Sequence, residues 1–179
     1  MILFEKLLAN VAKKPKFVHF EDREFEKYCL ANYDKDGDGK ISIEEALRVT
    51  TISNKMFEID TGNFSDLRYF ENVTVIPTIT LNEYRGKLKR LDIPKGVKGL
   101  GRYSLGFTTP VIIVFHGKTP PNHTWTFSYT SNTYDTLTNN GSKIYVPDES
   151  VEDYKKAFTS NPTPLRSGSI IHPISELNK

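Results

Sequence analysis

The chain has 179 residues, 37% of them hydrophobic, and its 24 lysines and arginines against 22 aspartates and glutamates give a net charge of +2. This length accommodates one hydrophobic core, or a small module joined to a larger one, and so low a charge does not indicate a nucleic-acid partner. The single cysteine excludes a disulfide framework, a thiolate zinc site and a redox pair. The sequence contains no apolar run of about 18 residues and so predicts no membrane span.

The first residues, MILFEKLLANVAKKPK, form an amphipathic pattern that ends at Pro15. Five apolar side chains fall on one helical stripe: Leu3, Phe4, Leu7, Leu8 and Val11. We therefore predict an N-terminal arm over residues 1–19, which either packs on the rest of the chain or docks onto another chain. Its positive charges follow the apolar part, the reverse of a secretory signal. We expect that either a signal has been removed or the chain is not exported by that route.

The stretch DKDGDGKISIEE, residues 34–45, has the spacing of a calcium-binding loop. Calcium binds about six to eight oxygens at roughly 2.3–2.6 Å, and a twelve-residue loop surrounds the ion if alternate residues point inward. Carboxylates occupy the first, third and fifth positions, and a glycine occupies the sixth, where the chain must turn sharply. The predicted Ca2+ ligands are the carboxylates of Asp34, Asp36 and Asp38, the backbone carbonyl of Lys40, Ser42 through a water, and both oxygens of Glu45. The alternative is an acidic surface turn that binds nothing.

The segments before and after this loop are both predicted to be helices. Residues 22–33 predict a helix with Asp22 as its N-cap and an apolar face that includes Phe25 and Cys29, and a shorter helix follows over residues 44–49. This helix–loop–helix resembles an EF-hand. Because the sequence contains no second loop of this kind, we predict a structural ion that fixes the corner between the first helix and the strands that follow, rather than a regulatory ion.

After residue 51 the sequence changes to short β-prone runs separated by turns. Apolar residues over 88–107 recur at intervals typical of a solenoid, with proline and glycine at the corners, and a weaker copy of the same pattern runs over residues 67–81. This pattern predicts short stacked strands with a period in the low twenties.

The C-terminal third predicts a closing unit. Asn140 and Gly141 lie between polar and β-prone runs and indicate a tight hairpin that pairs a strand at residues 125–129 with one at 143–146. A helix follows Pro147, with three apolar side chains on its inner face: Val151, Tyr154 and Phe158.

The segment at residues 88–101, L-x-x-L-D-I-P-x-G-V-x-x-L-G, resembles the repeat of the BspA-like leucine-rich-repeat proteins on the surfaces of gut Bacteroidota. Residues 20–52 are similar to a calcium-loop cap that precedes such repeats, and residues 144–158 and 172–178 are similar to their closing unit. The resemblance implies an α+β fold in which an N-terminal helical arm and a single EF-hand-like helix–loop–helix cap a short leucine-rich-repeat-like β-solenoid with a C-terminal hairpin and helix cap. The implied domains are the arm at 1–19, the calcium-binding cap at 20–52 and the repeat domain at 53–179.

The sequence and the resemblance together predict a non-enzymatic, calcium-stabilised structural or interaction module for adhesion or assembly. Two settings are open: a virion protein of a phage, assembled in the host cytoplasm, or a protein of the bacterial cell surface. We expect protein partners within a larger assembly, engaged through the N-terminal arm, and a host-surface protein or glycan as a further partner, with the tract at 124–140 as the first place to look for recognition.

Two other functions stay open at this point. One is a calcium-responsive regulatory binding protein, which requires a large rearrangement when the ion binds. The other is an enzyme that uses His116, His123 and Asp135. Against the enzyme, the four histidines lie far apart in the sequence, and no nucleophile elbow, phosphate loop or dinucleotide fingerprint is present.

Overall fold

The computed structural model describes residues 16–77, 87–101, 104–105, 107, 109–122, 141–160, 165 and 170–178. Its α-helices in these residues are α1 (Arg23–Tyr33), α2 (Ile43–Arg48) and α3 (Val151–Thr159), and its 3₁₀ helices are Asn54–Glu58, Ser65–Tyr69, Asp148–Ser150 and Ile174–Glu176. The strands are β1 (Asn63–Phe64), β2 (Val75–Ile76), β3 (Arg90–Ile93), β4 (Gly99–Leu100), β5 (Ile112–Phe115), β6 (Lys143–Val146) and β7 (Ile171–Pro173). The fold is therefore α+β. Residues 1–15 of the predicted arm and the tract at 124–140 lie outside the described residues.

Helix α1 forms where the sequence predicts it. The Asp22 carboxylate accepts a hydrogen bond from the Phe25 N–H at 2.9 Å, which is the N-cap interaction that satisfies an otherwise unpaired donor. Phe25 and Cys29, four residues apart on one helix face, are fully buried. The Phe25 ring lies 5.4 Å from the ring of Phe64 and 6.1 Å from that of Phe70, measured between centroids. These contacts attach α1 to the region around β1.

Five strands form one parallel sheet in the order β1-β3-β5-β6-β7. Side chains on successive strand residues point to opposite faces, so each strand contributes alternate residues to the core. In β3, Leu91 and Ile93 are buried in the main hydrophobic cluster, while Arg90 and Asp92 lie on the opposite face. The core-facing residues of the other long strands include Ile113, Phe115, Ile144, Val146 and Ile171.

The predicted repeat solenoid is wrong. The numbers of the paired residues differ by 27 (63 to 90), 22 (90 to 112), 31 (112 to 143) and 27 (144 to 171), whereas a solenoid of similar turns requires a nearly constant interval. A second parallel pairing, β2 with β4, has only two strands in the described residues. The apolar spacing of residues 88–107 comes from two strands in different sheets, β3 and β4, and from the segments beside them, so it did not indicate a repeated unit.

The predicted C-terminal hairpin is also wrong. Strand β6 pairs in parallel with β5 on one edge and with β7 on the other, so both of its hydrogen-bonding edges are occupied and no antiparallel partner at 125–129 can be added. Gly141 has a φ of 81°, the left-handed conformation that favours glycine, so a turn does occur here. The turn leads into a strand whose partners, β5 and β7, are distant from it in the sequence.

Helix α3 forms after Pro147 and packs against the core through the side chains that the sequence predicts. Tyr154 and Phe158 are fully buried, and the Phe115 ring of β5 lies 5.2 Å from the first and 5.5 Å from the second. The Tyr154 hydroxyl donates to the Gly117 carbonyl at 2.8 Å, which satisfies the polar end of a buried ring. Burial raises the pKa of this hydroxyl. None of the described helices has the length and apolarity needed to cross a bilayer.

Candidate metal site

Three aspartates of the predicted loop converge between α1 and α2. One carboxylate oxygen from each of Asp34, Asp36 and Asp38 lies within 4.8 Å of the others. Two oxygens bound to one calcium ion at roughly 2.3–2.6 Å can be at most about 5.2 Å apart, so this spacing fits a shared ion. Among the residues that the structure describes, these three form the group of acidic side chains whose oxygens lie close enough together to share a metal ion. The donor set contains only oxygen, which suits a hard cation.

The loop is held in this shape by bonds between its own side chains and backbone. The Asp34 carboxylate accepts from the Gly37 N–H at 2.8 Å and from the Gly39 N–H at 3.0 Å. Gly37 and Gly39 have φ values of 73° and 77°, which other residues adopt only at a cost. Glycine at the sixth position of the loop is therefore required by the backbone, as the sequence pattern predicts.

Asp36 and Asp38 make local turns of the same kind. The Asp36 carboxylate accepts from the Asp38 N–H at 3.1 Å, and the Asp38 carboxylate accepts from the Lys40 N–H at 2.9 Å. A carboxylate has about four lone-pair sites, so each of these groups retains acceptor capacity for a cation. Both carboxylates also line an open cleft of about 400 Å³ together with Phe17, and an ion can approach from that side.

Glu45, the predicted twelfth-position ligand, lies outside the group of three aspartates. Its Oε1 accepts from the Lys35 N–H at 2.7 Å, and its Oε2 accepts from the Ser42 N–H at 2.9 Å and the Ser42 hydroxyl at 2.8 Å. These hydrogen bonds lower the pKa of Glu45 to about 2, and the bond from the Lys35 N–H has the largest effect. The side chain is buried and ionised, and it stabilises the start of α2 in a reciprocal capping box with Ser42.

The two remaining predicted ligands lie beside this group. The Ser42 hydroxyl caps α2 by accepting from the Glu45 N–H at 3.1 Å, so its side chain already has a role in the helix. The Lys40 ammonium lies 5.0 Å from the centroid of the Phe17 ring. Only the backbone carbonyl of Lys40 is available as a ligand from this residue. Ile41, between the two, is buried in the core.

The start of α1 is attached to the sheet region by a buried carboxylate that the sequence did not reveal. Asp66 has no exposed surface, and its Oδ2 accepts from the Glu21 N–H at 2.6 Å and the Asp22 N–H at 3.4 Å. Its Oδ1 has no hydrogen-bond partner among the described atoms, although Arg68 Nη2 lies 3.4 Å away. Burial raises the pKa of Asp66. Asp22 in turn accepts from the Thr61 hydroxyl at 2.5 Å, so the helix cap and the body of the fold share one network.

His116, which the enzyme hypothesis groups with His123 and Asp135, lies beside a different carboxylate, that of Asp92. His116 Nε2 lies 2.8 Å from Asp92 Oδ2, and Arg90 Nε donates to Asp92 Oδ1 at 2.8 Å. Asp92 is fully buried, so the arginine and the histidine supply the hydrogen bonds that a buried carboxylate needs. His123 and Asp135 lie outside the described residues. Arg90 and Asp92 are two residues apart in a strand, so the sequence indicated that they share a face. No residue close to them in the sequence indicated that His116 would join them.

Comparisons with protein-family models, with curated proteins and with solved structures found no match to this chain. The likeness to BspA-like surface proteins and the division at residues 19 and 52 therefore stay predictions.

Proposed function

We propose that the loop at residues 34–45 binds one Ca2+ ion and that the protein is a non-enzymatic structural or interaction module stabilised by that ion. The observation that carries the proposal is the convergence of the Asp34, Asp36 and Asp38 carboxylates within 4.8 Å at the first, third and fifth positions of a twelve-residue loop. The Lys40 carbonyl and Glu45 complete the ligand set, and Ser42 contributes through a water.

The ion is proposed to act on stability. The loop joins α1, whose cap is bonded to Thr61 and Asp66, to α2, whose Ala46 is buried in the core. A bound ion neutralises the three carboxylates and so removes their mutual repulsion. Because it holds all three together, it also fixes the angle between α1 and α2. Any ligand that binds only the folded state stabilises it, by about 2.7 kcal/mol at a free concentration 100 times its Kd.

Asp36→Asn tests the site with little change in shape, because an amide oxygen can still accept the Asp38 N–H. We expect calcium affinity to fall about tenfold, equivalent to roughly 1.4 kcal/mol, as measured by isothermal titration calorimetry with CaCl2. Asp153→Asn, which removes an exposed acid on α3, is the charge-matched control and should bind as the wild type does. Equal calcium affinity for the two variants, or no calcium binding by the wild type, would contradict the proposal.

The setting that we propose is a larger assembly, either a phage virion or the bacterial cell surface, with a protein partner at the N-terminal arm and a host-surface protein or glycan as a further partner. The sequence likeness of residues 20–52 to the calcium-loop caps of bacterial surface proteins supports this setting. Mass spectrometry of purified virions and of shaved bacterial surface proteins distinguishes the two sources. Finding the chain only as a free intracellular protein would contradict both.

A calcium-responsive regulatory binding protein is the second candidate, and one observation favours it. The Glu45 carboxylate is bonded to Lys35 and Ser42, so bidentate coordination requires it to exchange partners when calcium arrives. A regulator must change its shape and its partner binding with the ion. Circular dichroism spectra and partner affinity that are the same in chelator and in millimolar calcium would exclude this candidate.

A further inference from the structure

The loop at residues 34–45, here called the metal loop, forms a β-bridge with a segment that precedes α1. Phe17 and Ser42 form an antiparallel bridge. The Val18 N–H donates to the Ile41 carbonyl at 2.8 Å, and the Ile43 N–H donates to the Lys16 carbonyl at 3.0 Å. Residues 16–18 therefore lie along the loop at its eighth to tenth positions.

This pairing occurs at the part of the loop that separates two predicted ligands. The backbone carbonyl of Lys40 lies immediately before the paired residues and Glu45 lies two residues after Ile43. The Phe17 ring also contacts both neighbouring ammonium groups, at 5.1 Å for Lys16 and 5.0 Å for Lys40. The pairing thus fixes the backbone on which the seventh-position carbonyl and the twelfth-position carboxylate are presented.

An unpaired strand edge offers its N–H and C=O groups to another chain. In this protein that edge of the loop is already paired within the chain. Val18 is buried, and its N–H donates to the Ile41 carbonyl of the loop. A loop whose backbone is already ordered loses less conformational freedom when it binds an ion, and binding is correspondingly tighter.

We propose that Lys16–Val18 is a positioning segment for the metal loop: it pairs with the loop's backbone within one chain, so that a single loop binds one ion without a second copy. This inference rests on the proposed calcium binding. It adds that calcium affinity depends on three residues that contribute no ligand. By linkage, calcium must also strengthen the pairing of this segment to the same extent.

Val18→Pro is the direct test, because proline has no N–H to donate to the Ile41 carbonyl. Val18→Ala is the matched control, since it loses side-chain packing but keeps that N–H. Loss of one hydrogen bond predicts that Val18→Pro binds Ca2+ about three- to tenfold more weakly in a calorimetric titration, while Val18→Ala stays within about twofold of the wild type. Equal affinity for the proline variant and the wild type, or an equal loss in both variants, would overturn the inference.

Two measurements on the wild-type chain keep the inference testable if the proline variant does not fold. In amide hydrogen exchange, the Val18 and Ile43 N–H groups should exchange several-fold more slowly with Ca2+ than with chelator; exchange that calcium does not alter would overturn the inference. In sedimentation velocity, calcium should leave the oligomeric state unchanged at one ion per chain, and calcium-induced dimerisation would overturn it. A wild-type chain that binds no calcium would instead refute the proposed function, and this inference with it.

Discussion

The metal loop and the parallel sheet are stabilised by interactions of very different range. In the loop, Asp34, Asp36 and Asp38 bond to backbone N–H groups two to five residues away in the chain. In the sheet, each strand pairs with residues that are 22 (90 to 112) to 31 (112 to 143) positions away. The loop is therefore shaped by local chemistry, whereas the sheet depends on burying apolar faces from distant segments. We expect the two regions to respond differently to substitution and to calcium.

The largest expected effect is in the sheet. Phe115→Ala removes a fully buried ring that packs on Tyr154 and Phe158, and it should lower the free energy of unfolding by about 3–5 kcal/mol. Urea titrations with and without calcium should show the same loss, because the aromatic partners of this ring lie in α3, outside the loop. Ile112→Ala, at a half-exposed position on the opposite face, is the control and should cost much less. A loss that calcium reverses would show that the two regions are not independent.

The next effect concerns the junction between the two regions. Asp66→Ala removes the acceptor of the Glu21 and Asp22 N–H groups and should lower the free energy of unfolding by about 1–3 kcal/mol. Asp66→Asn keeps an acceptor oxygen and should lose less. Thermal unfolding of both variants measures the difference, and equal stability of the alanine and asparagine variants would contradict the role given to this carboxylate.

A smaller effect is expected in the loop itself. Glu45→Gln should lower calcium affinity about tenfold, roughly 1.4 kcal/mol, because the twelfth-position carboxylate couples the ion to α2. The melting temperature measured in millimolar calcium should fall with it. If the wild type melts at the same temperature in chelator and in calcium, the ion has no structural role and this prediction fails.

The smallest effect is a pH dependence at the start of α1. A hydrogen bond from Arg68 lowers the pKa of Glu21 below its ordinary value of 4.5. A carboxylate whose pKa is depressed in the folded state contributes stability above its unfolded pKa and loses that contribution as the pH falls through the folded value. Since the side chain is half-exposed, we expect at most about 1 kcal/mol.

Glu21→Gln tests this pH dependence. Relative to Glu152→Gln, an exposed control on α3, Glu21→Gln should be less stable at neutral pH and should approach the control below about pH 4, in melts at matched salt. The buried Asp66 titrates with the opposite sign because its pKa is raised, so only the difference between the two variants isolates Glu21. A constant difference across the pH range would contradict the assignment.

The local features were predictable from the sequence because each depends on residues that are close in the chain. The Asp22 cap of α1, the turn at Gly39 and the inward direction of Ile41 all follow from spacing and from the conformational limits of individual residues. Helix α3 after Pro147 was predictable for the same reason. The position of the three aspartates also follows, since their bonds lie within the loop.

The pairings between distant segments were not predictable. The buried Asp92 is bonded to His116, which follows the neighbouring strand β5, and the metal loop pairs with Lys16–Val18 from the segment before α1. The apolar pattern of residues 88–107 fits a repeated turn and two unrelated short strands equally well, and the Gly141 turn fits both a hairpin and a parallel crossover. The sequence determined the loop because its geometry is set by neighbouring residues; only the tertiary structure decided the sheet, because burial of each strand depends on which distant strand covers it.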